Sequence, residues 1–147
     1  MRVSAKGEYA LKALLDLARH DTEGLRPIQA IAARQGIPQR YLEQVLLQLK
    51  RAGFLDSRRG SAGGYRLARP PAEVTVGAVL RAVEGSVVGD EPRGAGRQGH
   101  RDHRGDLADL WREVADAVSA VVDCVTIEDL RRRAEDRRAR AQPMYHI

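Results

Sequence analysis

The residues best suited to do chemistry lie between Gly36 and Tyr65. Gln39, Arg40, Glu43 and Gln44 set donors and acceptors three and four positions apart, the spacing that gathers side chains on one face of a helix. Arg58 and Arg59 follow, ahead of Gly60, Gly63 and Gly64, three glycines within five positions. Chemistry of this kind is recognition rather than turnover. Guanidinium forks match phosphate oxygens and guanine edges, carboxamides match adenine, and a carboxylate accepts from the cytosine amino group. Glycine lets a chain reverse and lets its backbone approach a surface closely. A nucleotide-binding P-loop is excluded, because no Gly-Lys-Ser/Thr follows and no helix begins there. No paired carboxylates or nucleophile–base constellation can be read from the spacing, so the chain is expected not to be an enzyme.

Such groups need elements to hold them. Ser4 caps a first helix whose Ala10, Ala13, Leu14, Leu17 and Ala18 recur with helical period, widened by Leu11 and Leu15. Asp21-Thr22-Glu23-Gly24 forms a polar loop, and Pro27 falls in the first turn of a short helix carrying Ile28, Ile31 and Ala32. Gln35-Gly36-Ile37 is a tight turn, and Pro38 opens a third helix with an apolar stripe of Leu42, Val45, Leu46 and Leu49. Its outward side is then Arg40, Glu43, Gln44, Gln48 and Arg51, with Gln39 and Tyr41 at the exposed first turn. Phe54–Ser57 and Tyr65–Ala68 read as strands flanking an arginine-tipped glycine turn. A helix-turn-helix followed by a basic hairpin is the winged arrangement that grips duplex DNA, helix in the major groove and hairpin at the backbone or minor groove. The alternatives are a solvated face on an ordinary surface helix and a purely structural hairpin. A structural hairpin has no need of paired arginines at its apex.

The totals agree with a polyanionic partner: 147 residues carry a formal net charge of +5, and the sequence pI is about 9.9. Six arginines within residues 131–140 hold part of that charge away from the reading surface. Aromatics are 4% of the chain, so Leu, Val, Ile and Ala must fill the core. A single cysteine, Cys124, excludes an intramolecular disulfide and a multi-cysteine cage within one chain. With Val121, Val122 and Val125 around it, it reads as a buried small apolar residue rather than a redox-sensing thiol. No stretch is long and apolar enough for a membrane span and no signal-peptide core is readable, so a soluble, cytoplasmic protein is expected.

From Leu107 a seam of alternating four- and three-residue steps runs through Trp111, Val114, Val118, Val121 and Val125, flanked by Asp106, Asp109, Arg112, Glu113 and Asp116. So short a seam must pack on something. Pairing with a second copy is favoured over packing within its own monomer, because two reading heads double the bases contacted. Thr126 caps a last helix with Glu128 and Asp129 in its first turn. Its arginines, Arg131–Arg133 and Arg137–Arg138, read as a solvated face.

Together Ser4-Ala5-Lys6-Gly7-Glu8-Tyr9-Ala10, Ile37-Pro38-Gln39-Arg40-Tyr41-Leu42-Glu43-Gln44 and Arg59-Gly60-Ser61-Ala62-Gly63-Gly64-Tyr65 closely resemble the Rrf2 family of bacterial transcription regulators. Val74-Thr75-Val76 leading to Glu84-Gly85, Leu110-Trp111 and Val125–Leu130 continue the likeness over about residues 1–130. The resemblance implies a homodimeric winged-helix repressor or activator on palindromic promoter DNA. Carried over by position, Gln39, Arg40, Glu43 and Gln44 fall at base edges, and Arg59, with Gly60 behind it, in the minor groove. Tyr41, Arg51 and Arg58 suit phosphates, and Ser61, Gly63 and Gly64 complete the DNA-contacting set.

Many members of that family carry three cysteines ahead of the long helix, holding an iron–sulfur cluster. Here residues 86–104 contain none, and the family's places fall near Arg93, Gly99 and Gly105. No cluster, metal or other cofactor is therefore expected. His100 and His103, with Asp102 between them, are the one alternative metal pair, but a fourth ligand is missing and Arg101 and Arg104 would repel a cation. A metal-sensing regulator using these histidines and a winged-helix protein-interaction module without DNA binding are the competing functions. The expected fold is mainly α with a small β-hairpin wing. It divides into a winged helix-turn-helix domain (1–84), a glycine- and arginine-rich flexible loop (85–105), a dimerisation helix plus C-terminal helix (106–140) and a tail (141–147).

Overall fold

The computed structural model describes residues 3–21, 24–85 and 104–142. The loop expected over 85–105 lies almost wholly outside them, with His100 and His103, as does nearly all of the tail. Six helices and one hairpin follow in order: α1 (Ala5–Arg19), α2 (Ile28–Gln35), α3 (Gln39–Arg51), β1 (Leu55–Arg58), β2 (Gly64–Leu67), α4 (Val76–Glu84), α5 (Arg104–Val122) and α6 (Ile127–Ala141). A 3-10 turn, Pro71–Glu73, precedes α4.

The periodicity of α1 and α3 decides the core. Ala10, Ala13, Leu14, Leu17 and Ala18 face Leu42, Val45, Leu46 and Leu49, all buried, with Ile31, Phe54, Leu55, Val74, Val79, Val83 and Ile127 closing the cluster. Ser4 caps α1 as expected, its hydroxyl accepting from the Gly7 N–H at 3.2 Å. Pro27 and Pro38 each sit one residue earlier than a first-turn proline, as the N-caps of α2 and α3. The turn between these helices closes through Gly36 at φ 64°, a left-handed conformation that glycine takes without steric cost.

One charge lies inside this apolar packing. Asp16 is 1% exposed and meets Arg34 through two bonds, Nε at 2.9 Å and Nη2 at 2.7 Å, while Gln35 donates at 3.2 Å. A bidentate, fully hydrogen-bonded pair offsets most of the desolvation that a buried carboxylate suffers. It fixes α2 against α1, and so the angle at which α3 is offered.

The C-terminal helices are attached by backbone. The Val76 N–H donates to the Val125 carbonyl at 2.8 Å, and the Ile127 N–H donates to the Val74 carbonyl at 2.9 Å. Ile127, 1% exposed, plugs into the domain core. Arg81 grips Asp123 with two bonds of 2.6 and 2.9 Å, holding that carboxyl below its ordinary range. The Thr126–Asp129 pair forms a full capping box, with bonds of 2.9 and 3.0 Å, at the start of α6.

Two expectations for this end are corrected. Cys124 is exposed, because α5 stops at Val122 and the thiol falls in the turn between helices rather than under the core. Arg131 is not simply solvated: it bonds both Glu128 and Glu135, and Arg132 joins Glu128 at 3.2 Å.

Candidate nucleic-acid interface

The outer face of α3 is defined by what its inner face buries. With the Leu42–Val45–Leu46–Leu49 stripe inward, Arg40, Glu43, Gln44, Leu47 and Arg51 are all exposed, and Gln39 is exposed at the first turn. Gln48 departs from expectation: it is half-buried, turned toward the edge of the core, and its enclosed Oε1 accepts no hydrogen bond among the described residues. Tyr41 is 41% exposed, and its ring stands edge-on to Tyr9 at 5.4 Å, which holds the phenol at the helix N-terminus. Glu43 is the only carboxylate in α3, in company with Arg40, Lys50 and Arg51.

The hairpin is antiparallel, with Leu55 opposite Leu67 and Arg58 opposite Gly64. Its strands are shifted by one residue from the expected runs. Phe54 belongs to the core, 5% exposed with the Arg69 guanidinium 5.5 Å from its ring centroid, and its carbonyl accepts from the Ala68 N–H at 3.0 Å; the strand itself runs from Leu55. Arg58 is therefore the last paired residue of β1, and the exposed apex is Arg59, Gly60 and Ser61.

A third strand-like residue stiffens this wing. Arg26 and Tyr65 exchange backbone bonds, each 2.8 Å long, so that β2 is clamped between β1 and the segment leading into α2. Gly64 has to be glycine here, because a Cβ would run into the Arg26 carbonyl. Gly63, half-buried, likewise has no room beside the Arg58 carbonyl, and its N–H closes the tip on Gly60 at 3.0 Å. Both glycines shape the wing, and both remain half-exposed.

Between α3 and the wing runs an open cleft of about 540 Å³. Leu47 and Lys50 line it from α3, Arg58 and Arg59 from the hairpin, and Gln29 from the start of α2, with no carboxylate in its lining. Reading face, cleft and arginine apex thus form one continuous cationic surface, geometrically suited to a ridge of phosphates flanking a groove. Lys50 and Leu47 were missed by sequence reasoning, although Leu47 stands four residues after Glu43 and three after Gln44. Among the described residues no group of three or more His, Cys, Asp or Glu could hold a metal.

The long helix presents a different surface. Leu107, Trp111 and Val121 are 57%, 54% and 64% exposed, and Leu110, which the expected seam omits, is 47% exposed. Val114, Val118 and Val125 are half-buried. Among the described residues α5 packs mainly along α4, which leaves this apolar stripe largely uncovered by them. No helix among the described residues is long and apolar enough to cross a membrane.

Comparison with known proteins adds to this geometry. Residues 3–133 match the family model Rrf2, described as an iron-dependent transcriptional regulator. The HTH-type transcriptional regulator IscR of Serratia proteamaculans (strain 568) is 40% identical over 131 residues, covering 88% of this chain and 79% of that protein. IscR of Aliivibrio salmonicida (strain LFI1238) is equally similar, at 40% over 131 residues, 88% of this chain and 77% of its own. Among solved structures, T. potens IscR superposes with a TM-score of 0.79 at 34% identity, over 99% of this chain and 97% of the other. CymR, the global cysteine regulator of B. subtilis, gives 0.76 at 33% identity, over 90% and 98%.

Proposed function

The chain belongs to the Rrf2 family of helix-turn-helix transcription regulators, and from that premise we propose that it acts as a homodimer on a palindromic operator, in the cytoplasm and without an iron–sulfur cluster. α3 enters the major groove. Gln39, Arg40, Glu43 and Gln44 meet base edges, while Tyr41, Arg51 and Arg58 hold phosphates and so set the register. Arg59 reaches the minor groove from the wing apex, where a narrow, negative groove attracts a guanidinium. Gly60 and Ser61 approach the backbone beside it. The observation that carries this reading is the continuity of the exposed α3 face with the cleft and the clamped arginine wing.

Dimerisation is supported by the apolar stripe of α5, where four large side chains are about half exposed or more. An uncovered stripe of this width on a soluble domain calls for a partner surface, and a second copy supplies a self-complementary one. Two heads joined through α5 would read two half-sites related by the same two-fold axis.

The donor set does not fit a thiolate-held cluster. The chain has one cysteine, Cys124, in the turn after α5, and the positions near Arg93, Gly99 and Gly105 offer no ligand. Signalling by a cluster of that kind is accordingly not part of this mechanism.

The test is Glu43→Ala against a panel of duplexes. Base preference should relax at one position per half-site, by about 1–3 kcal/mol of discrimination. Equal weakening on every sequence would remove Glu43 from base reading.

A further inference from the structure

Leu47 is the one apolar residue on the reading face, and its place there has no explanation in the folding of the domain. It is 44% exposed, on the side of α3 opposite the four buried residues. Seven residues after Arg40, four after Glu43 and three after Gln44, it projects from the middle of the polar face, about two turns along from Arg40. It also lines the cleft toward the wing, next to Lys50, but the hairpin does not cover it. Here an isobutyl group loses free energy to water in the unbound protein and gains it back only against an apolar surface.

Base edges in the major groove offer one such surface. Of the four bases only thymine presents a methyl group there; the others offer hydrogen-bonding groups and ring C–H edges. We propose that Leu47 is a specificity-determining residue that selects a thymine in each half-site by packing on its methyl group. The inference rests on the DNA-binding reading of this face and adds a base preference that Gln39, Arg40, Glu43 and Gln44 do not supply. Hydrogen bonding plays no part in it, so its signature is sensitivity to a methyl group alone.

The test uses the full chain. Wild-type protein enriches duplexes from a random-sequence library, and the tightest is resynthesised with deoxyuridine replacing thymine, one symmetric pair of positions at a time. Fluorescence anisotropy then compares wild type with Leu47→Ala. For wild type, one thymine pair should be methyl-sensitive, with affinity falling about threefold or more when the methyls are removed. Leu47→Ala should bind the thymine and uracil duplexes equally at that pair, while keeping its preferences at other positions. Its thermal midpoint should stay near that of wild type, because the side chain is outside the core. Uniform weakening on every duplex, or methyl sensitivity that survives in Leu47→Ala, would overturn the assignment. If wild type enriches no sequence at all, the DNA-binding reading itself fails, an outcome distinct from either of these.

Discussion

The reading head and the arm are both helical, but they are completed in opposite ways. In α3 every large apolar residue of the inner stripe is fully buried, and the face left over is polar apart from Leu47. In α5 the comparable stripe is only partly covered: Val114 and Val118 are half-buried, but Trp111 is 54% and Val121 64% exposed. The head therefore holds its shape with contacts from its own chain, while the arm keeps apolar area that the other described residues leave in water.

That division predicts that substitutions in the two regions differ in kind as well as size. Leu46→Ala removes a fully buried side chain and should cost about 2–5 kcal/mol of folding stability, by the same amount at all protein concentrations. Denaturant titration at two concentrations checks it. Trp111→Ala should instead act on assembly, costing about 2 kcal/mol or more of association as a large aromatic anchor is lost. Sedimentation velocity should show the wild type as a dimer at concentrations where the variant is largely monomeric, and operator affinity should fall with it. A concentration-independent loss in Trp111→Ala would mean that the arm packs on its own chain.

Arg59→Ala should leave folding and assembly intact, because the apex is exposed and outside the core. It should weaken DNA binding, and the slope of log affinity against log salt should become shallower by about one per protomer as a phosphate-groove cation is lost. An unchanged slope would take the wing out of the mechanism.

The smallest effect concerns the joint between the regions. Asp123 is held low by its paired bonds to Arg81, Glu128 by Arg131, and Asp129 by the Thr126 N–H and hydroxyl. Their folded values lie below the unfolded ones, so the stability they add is present above the ordinary carboxylate values and disappears as pH falls through the lowered ones. Asp123→Asn should lower the thermal midpoint slightly at pH 7, and the gap from wild type should narrow as pH falls below the ordinary carboxylate range. A gap that stayed constant with pH would show that the Arg81–Asp123 pair contributes nothing to the joint.

Where local chemistry sets the structure, the sequence made it legible. The Leu42–Leu49 stripe needs only helical periodicity, Ser4 and Thr126 need only their own first turns, and Gly36 needs only a sharp reversal. What escaped depends on partners distant in the chain. Asp16 reads as one more surface acid until Arg34, eighteen residues later, is brought beside it. The Arg26–Tyr65 and Thr75–Thr126 bridges use backbone groups that every residue has, so no side-chain pattern announces them. Cys124 was misread because its valine neighbours suggest a core, whereas the helix ends just before it. The site was legible as a set of residue types, but the register that pairs Arg58 with Gly64 depends on backbone bonds that residue types do not announce. Leu47 was overlooked because exposed leucines are common and single ones usually need no explanation.

The most direct test of the whole account is selection of duplex DNA by the purified full chain from a random library, read by sequencing. Enrichment of a two-fold symmetric site is expected, its half-sites lying about one helical turn, or a multiple of it, apart. Recovery of the library in its input proportions, at low salt and high protein concentration, would contradict it.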